Sequence, residues 1–312
     1  MNSDKIAILF NPSAAQGKAF KKKAALEMRL RRMEIPYDLV VTQSEDHLRA
    51  LTLEQARKYK TLIGAGGDST FHIMINEMIR AGAAAEVKFG MIAVGSSNDI
   101  AKEFGLDSLD KACLAAKNGR AKKIDLGCIF EDETPLTYFL GQANIGLGVF
   151  VNKRLAELRA RKYRLTKRQT LAGILAVFNA YRSKKIPLPL AVHSEEGTIE
   201  KKFMAAVFSN LRFWATGKMI APAALPDDGR LDACLIKECS FSRLAHIASL
   251  ARKGNHVRAM EVDILRASSF KVSSENPFEI QTDGEILTAP DGRTKFQKIV
   301  FSVVPQALNI IY

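Results

Sequence analysis

Two short stretches decide how this chain folds: Ile63-Gly64-Ala65-Gly66-Gly67-Asp68-Ser69-Thr70 and Ala93-Val94-Gly95-Ser96-Ser97-Asn98-Asp99. Each follows an apolar run that reads as a buried strand, and each precedes a helical pattern. Both turns therefore fall at carboxyl ends of strands, where helix amino-termini and bare amides converge on an anion such as a phosphate.

The flanking sequence extends the same pattern. Strand-like runs at Ile6–Phe10, Asp38–Val41, Thr61–Ala65 and Phe89–Val94 alternate with amphipathic stretches at Lys18–Met33, Glu45–Lys58, Thr70–Ala81 and Asp99–Phe104. This βαβ alternation predicts a mainly parallel, Rossmann-like sheet with helices on both faces, in an α/β domain spanning residues 1–128. Beyond it, short runs rich in Val, Phe, Ile and Thr are broken by turn signals at Glu195-Glu196-Gly197, Asp227-Asp228-Gly229, Asp283-Gly284 and Asp291-Gly292. They predict an antiparallel β domain over 129–295, interrupted by helical segments around 151–182 and 241–253. The final segment, 296–312 with its run Lys298–Val304, is free to return to either domain.

A chain of 312 residues exceeds what one hydrophobic core usually serves. With 46 Lys and Arg against 33 Asp and Glu, the formal charge of +13 suits an anionic partner. Cys113, Cys128, Cys234 and Cys239 form no CxxC pair, and the start Met1-Asn2-Ser3-Asp4-Lys5 leads into a strand-like run without a signal-peptide apolar region. A reducing cytoplasmic compartment is the expectation. No stretch approaches the roughly 18 apolar residues of a spanning helix, so any membrane contact is expected to be peripheral.

Asn11-Pro12-Ser13-Ala14-Ala15-Gln16-Gly17-Lys18 adds a third small-residue turn after the first strand. It lacks the GKS or GKT ending of a P-loop, and Gly64, Gly66 and Ser69 miss the third glycine of a dinucleotide fingerprint. Any one such turn reads first as a tight strand-to-helix connection; three on one sheet edge favour a phosphate site. Asp68 and Asp99, at helix starts on that edge, are either caps or groups that hold Mg²⁺ or accept a hydroxyl proton.

Gly66-Gly67-Asp68-Ser69-Thr70 and Gly95-Ser96-Ser97-Asn98-Asp99 resemble the GGDGT and GTGND turns of the soluble lipid kinases related to diacylglycerol kinase and sphingosine kinase. The resemblance extends to Asn11-Pro12, to Ile220-Ala221-Pro222 through Asp228-Gly229, and to Asp283-Gly284-Glu285, in matching order and spacing. It implies ATP-dependent phosphorylation of a lipid hydroxyl, with nucleotide held between an NAD kinase- or phosphofructokinase-like α/β domain and a β-sandwich domain. By this resemblance Asn11, Pro12, Ser13, Ala14, Thr42, Gly66, Gly67, Asp68, Ser69, Thr70, Phe71, His72, Ser96 and Asn98 would contact ATP. Glu285 would be the catalytic proton acceptor, with Asp68 and Asp99 organising the metal. A structural Mg²⁺ is implied at Asp228 and the carbonyls of Leu225 and Arg230, with Asp125 linked through water. From residue chemistry alone, the 225–230 turn is equally an Asp-Gly hairpin, and Glu285 a solvated turn residue.

Three departures stand out: Ser69 and Ser97 replace glycines of the two motifs, and Ile73 stands where the family usually has Glu. If either serine needs a left-handed backbone, the change costs of order 1 kcal/mol. The segment Lys153–Lys185 holds eleven Lys or Arg against one acid, Glu157, a net +10. Containing Leu171, Ile174, Leu175, Val177 and Phe178, it suits either an anionic membrane surface or a solvated helix packed on the domain. Only Tyr163 interrupts the run, so a nucleic-acid stacking platform is not expected. The leading reading is an ATP- and Mg²⁺-dependent lipid kinase acting on a membrane lipid. A small-metabolite kinase and a binding-only regulator are the alternatives, and a homodimer is compatible with the sequence.

Overall fold

The computed structural model describes residues 5–160, 175, 177–182, 185–215 and 217–312. Strands β1 (Ile6–Phe10), β2 (Tyr37–Val41), β3 (Thr61–Gly66) and β4 (Lys88–Ala93) run parallel in the order β2-β1-β3-β4. β1 is buried along its whole length, and β3 and β4 are buried beyond their first residues. Parallel strands covered on both faces need such continuous apolar runs. The covering helices are α1 (Lys23–Arg32), α2 (Glu45–Ala56), α3 (Asp68–Arg80), α4 (Asp99–Glu103) and α5 (Leu109–Asn118). Ile8, Phe10, Leu26 and Leu30 form one core layer, and Phe71, Met74, Met78 and Phe89 the other.

Two local details differ from expectation. The stretch Lys18–Met33 divides into a 3₁₀ turn over Lys18–Lys22 and then α1. Helix α5 was not anticipated, because its inward face is made of small residues, Ala112, Cys113, Ala115 and Ala116. Its ends are nevertheless well marked: Ser108 accepts the Lys111 N–H, and Gly119 closes it in the left-handed region at φ 59°.

The second half carries β5 (Ala121–Glu131), β6 (Thr134–Phe139), β7 (Gln142–Gly146), β8 (Leu188–Ser194), β9 (Gly197–Ser209), β10 (Phe213–Trp214) and β11 (Lys218–Met219). It continues with β12 (Leu231–Lys237), β13 (Val262–Ala267), β14 (Ser269–Phe278), β15 (Ile280–Thr282), β16 (Glu285–Ile286) and β17 (Phe296–Ile311). Helices α6 (Leu147–Ala160) and α7 (Phe241–Leu250) pack outside. Pairing is antiparallel throughout except where β17 meets β4, and the strands form a β-sandwich around Phe139, Phe203, Phe208, Phe270, Phe296 and Phe301.

Strand β17 is longer than the run Lys298–Val304 read from sequence. It pairs with β14 and β5 in the sandwich, then continues to touch β4 at Ile310↔Phe89. Between Val304 and Leu308 its register shifts, and Gln306 takes φ 52°. The bulge lets one strand serve both lobes. Among the described residues, fifteen strands thereby join one hydrogen-bonded sheet.

Much of the basic insertion expected over 151–185 lies outside the described residues. Its start forms the end of α6, and residues 177–182 are helical, with Phe178 edge-on to Phe241 at 5.6 Å between ring centroids. Among the described residues no helix is long and apolar enough to cross a membrane.

Phe208 and Phe301 stack at 4.1 Å across the sandwich interior, both fully buried. Phe301→Ala is expected to cost about 3–5 kcal/mol through lost burial and an unfilled cavity, read as a lowered urea midpoint. A loss below about 1 kcal/mol would mean that the sandwich repacks around the site.

Candidate active site

The two glycine turns touch each other. A Cβ built on Gly95 would stand 2.5 Å from the Gly67 Cα, and one on Gly66 would stand 2.3 Å from the Thr70 hydroxyl oxygen. Neither position has room for a side chain. The strain considered for Ser69 and Ser97 is absent, since neither has a positive φ; Asn98 does, at 56°. Asparagine tolerates that region, and Asn98 Nδ2 donates to the Gly95 carbonyl at 3.1 Å. The Ser97 hydroxyl donates to Asp99 Oδ2 at 3.0 Å, and Ser96 is exposed beside it.

The first turn joins the same edge. Asn11 donates through Nδ2 to the Thr70 hydroxyl at 3.0 Å, and its Oδ1 accepts the Ser13 N–H at 3.0 Å. Thr42 is buried, its hydroxyl on the Phe10 carbonyl at 3.3 Å. A cleft of about 230 Å³ opens here, lined by Asn11, Ser13, Thr42, Ser44, Glu45, Leu48, Ser69, Thr70, Ile73 and Glu285. The amino-terminal turns of α2 and α3 both border it, which suits an anionic ligand. Pro12 is half-buried in the turn, and Ala14 leans on the α/β core. Phe71 corrects the expected contact set: its ring is fully buried against Phe89, 6.3 Å between centroids, so its side chain serves the core.

Asp68 and Asp99 meet behind the turns. The Asp99 and Ile100 N–H groups, at the start of α4, lie 3.4 Å from the two Asp68 oxygens. Burial, the neighbouring Asp99 and the more distant Asp283 together push the Asp68 carboxyl up to about 7 against those N–H contacts. Two crowded carboxylates of this kind fit a divalent cation, whose charge would relieve their repulsion. The β10–β11 hairpin brings in Lys218, which the sequence did not single out. Burial holds its ammonium below the ordinary lysine value, while Asp99 acts in the opposite sense.

The Asp283-Gly284-Glu285 turn forms the far wall. Asp283 is buried, and its carboxylate accepts N–H groups from Leu140 at 2.8 Å and from Gly141 and Gln142 at 2.9 Å. Asn152 on α6 donates to the Gly284 carbonyl at 2.6 Å. A Cβ on Gly284 would lie 3.3 Å from the Ser69 hydroxyl, so this turn rests on the first glycine turn. Glu285 is exposed to the cleft, and among the described residues no ion pair engages it.

The loop considered for a structural Mg²⁺ is closed by protein groups. Asp125 Oδ2 accepts the Gly229 N–H at 2.7 Å, its Oδ1 accepts the Gln306 N–H at 2.8 Å, and its own N–H donates to the Pro226 carbonyl at 2.7 Å. Asp228 accepts the Arg230 N–H at 3.0 Å through Oδ1, and its other oxygen is paired with the Arg266 guanidinium. Leu225 is half-exposed at the rim. With Arg266 already holding Asp228, this arrangement does not fit an ion directly ligated there. Sequence reading could not foresee it, because Arg266 reaches the loop from β13.

This fold and this edge define a class. Residues 5–129 match the family described as diacylglycerol kinase catalytic domain, and residues 141–312 match the YegS C-terminal NAD kinase beta sandwich-like domain. The chain belongs to the diacylglycerol and lipid kinase family, whose kinase and NAD kinase-like parts imply ATP use. It is 26% identical to a diacylglycerol kinase of Mycobacterium tuberculosis H37Rv, over 98% of this chain and 94% of that one. It is also 26% identical to a diacylglycerol kinase of Bacillus subtilis strain 168, over 89% of this chain and 88% of the relative. A crystal structure of a diacylglycerol kinase from Bacillus anthracis Sterne shares the fold at TM-score 0.71 and 16% identity, covering 99% of this chain and 97% of that chain.

The Asp68 environment has a measurable consequence in nucleotide- and metal-free buffer. Its folded value of about 7 lies above the ordinary 3.8, so between them the folded state binds a proton that the unfolded state has released. That contribution is whole below the ordinary aspartate range and is lost as pH climbs through about 7. Wild-type stability is therefore expected to fall from pH 5 to pH 8 relative to Asp68→Asn, measured by urea unfolding at each pH. Parallel pH profiles for the two proteins would contradict this account of the carboxylate pair.

Proposed function

We propose that this chain is an ATP- and Mg²⁺-dependent kinase that phosphorylates a hydroxyl of a diacylglycerol-like lipid at a membrane surface. The observation that carries the reading is the convergence of the Asn11 turn, the Gly66–Thr70 turn and Glu285 on one cleft, with the second glycine turn packed against the first. Bound ATP and Mg²⁺ would supply the phosphoryl group and the compensating charge for its transfer. The first amides of α3 border that cleft edge, positioned to hold phosphate oxygens, while the Asn11–Ala14 turn spends its own N–H groups on Ala65 and Asn11. Asn11, tied to Thr70, keeps the first turn registered on the glycine turns. Asp68 and Asp99 would hold the cation; Glu285, exposed and in no ion pair among the described residues, takes the proton from the acceptor hydroxyl.

Membrane contact is supported by the charge of Lys153–Lys185 and by the exposed Leu175 and Phe178 within it. Basic residues near an anionic surface contribute about 1 kcal/mol each at low salt. Sedimentation with phosphatidylserine vesicles, reversed at high salt, is the expected behaviour; a chain that stays in the supernatant with such vesicles at low salt would contradict surface action.

The decisive assay is transfer of labelled γ-phosphate from ATP to a panel of lipids in mixed micelles, with Asp68→Ala as blank. Labelled diacylglycerol or a related lipid is expected, and Glu285→Gln should lower kcat by about a hundredfold or more while leaving ATP affinity within about threefold. Transfer to a soluble metabolite alone, or nucleotide binding without any transfer, would overturn the reading. Normal turnover by Glu285→Gln would remove that residue from the proton-accepting role.

A further inference from the structure

The resemblance places His72 on the nucleotide, yet its ring is turned toward the sandwich lobe. His72 Nδ1 stands 3.5 Å from Asp283 Oδ2, is buried, and has no hydrogen-bond partner. A buried imidazole nitrogen aimed at a carboxylate without a closed hydrogen bond is a poor resting arrangement. A shift of a few tenths of an ångström closes it.

What that shift would move is set by the other contacts of Asp283. Its side chain is wholly buried and takes three N–H groups from the β6–β7 crossover, Leu140, Gly141 and Gln142. A Cβ on Gly141 would fall 2.8 Å from Asp283 Oδ1, so the close approach depends on that glycine. These bonds hold Asp283 within its own lobe; His72 is the side chain that reaches it from α3. One helical turn on, Asn76 bonds the Tyr138 main chain at both ends of its amide, 2.9 Å each, and also holds the His72 carbonyl. The ring therefore approaches Asp283 from an anchored segment of helix.

Two residues after Asp283 comes Glu285, across Gly284 at φ 103°, which rests beside Ser69. A pull on Asp283 is thus transmitted to the carboxylate that faces the cleft. We propose that His72 is a positioning residue: through Asp283 it seats the Glu285 turn against the glycine turn. The charged group that faces the ring is Asp283, at 3.5 Å from Nδ1. This inference rests on the kinase reading for the chemistry of Glu285, but the seating of the turn does not.

Two measurements on His72→Ala and His72→Asn test it. The first is hydrogen exchange of the amides at residues 284–286 in the ligand-free protein; the second is steady-state kinetics. His72→Ala is expected to speed exchange of the turn by about tenfold and lower kcat by about tenfold, with KM for ATP within about twofold. His72→Asn, which keeps a donor, is expected to restore both. A raised KM for ATP with unchanged kcat would overturn the proposal in favour of direct nucleotide contact, as would unchanged exchange at the turn. An inactive wild-type protein whose turn exchanges faster in His72→Ala would sink the kinase reading and support the seating role.

Discussion

The two lobes share one pair of strands, β5 and β17, and buried Asp125 sits where that pair changes partners. Its N–H, its carbonyl and both carboxylate oxygens are all engaged, by Pro226, Asn210, Gly229 and Gln306. An isolated buried carboxylate would be far too costly to retain, so the Gly229 and Gln306 N–H groups on its two oxygens are a condition of folding. They also pin the β17 bulge, which allows the strand to leave the sandwich and finish beside β4. Because β5 and β17 pair on both sides of the bulge, the lobes cannot rotate about a single linker. The far wall of the cleft therefore has a fixed place relative to the glycine turns.

Asp125 and Asp283 differ from Asp68 and Asp99 in what satisfies them. Asp125 and Asp283 accept main-chain N–H groups through both carboxylate oxygens, which turns each carboxylate into a strut between segments. Asp68 and Asp99 lie against each other, and the few N–H groups near Asp68 do not offset burial and repulsion. The struts are met by main-chain N–H groups of distant segments, whereas Asp68 and Asp99 face each other across the start of α4. That contrast, more than burial alone, separates scaffold from site.

The parallel strands and both glycine turns were legible because continuous apolar runs ending in glycine follow from local rules. The closeness of Gly67 to Gly95 was implied by shared position on a strand edge. Long-range contacts were not legible. Asp283 reads as an ordinary Asp-Gly turn until β15 is placed beside β7, which delivers its carboxylate to the crossover amides. Phe71 sits inside a motif, yet the helical period turns it inward to Phe89 while Ser69, Thr70 and Ile73 reach the cleft. Arg266 reaches the 225–230 loop because β13 pairs with β12, placing Arg266 opposite Asp232.

The departures from the family motifs make sense as a redistribution of charge around one carboxylate. Ser69 keeps its backbone within the range open to any residue, and its hydroxyl lies where a side chain at position 284 would come within 3.3 Å of it. Ile73, where the family usually carries Glu, joins Leu48 in an apolar stretch of the cleft wall. Glu45 also lines the cleft, but Arg49 holds it at 2.6 Å. An acid at position 73 would set a second carboxylate in the cleft with Glu285 and raise the cost of admitting an anion. With isoleucine there, Glu285 is the one carboxylate without an ion pair among the described residues that line the cleft.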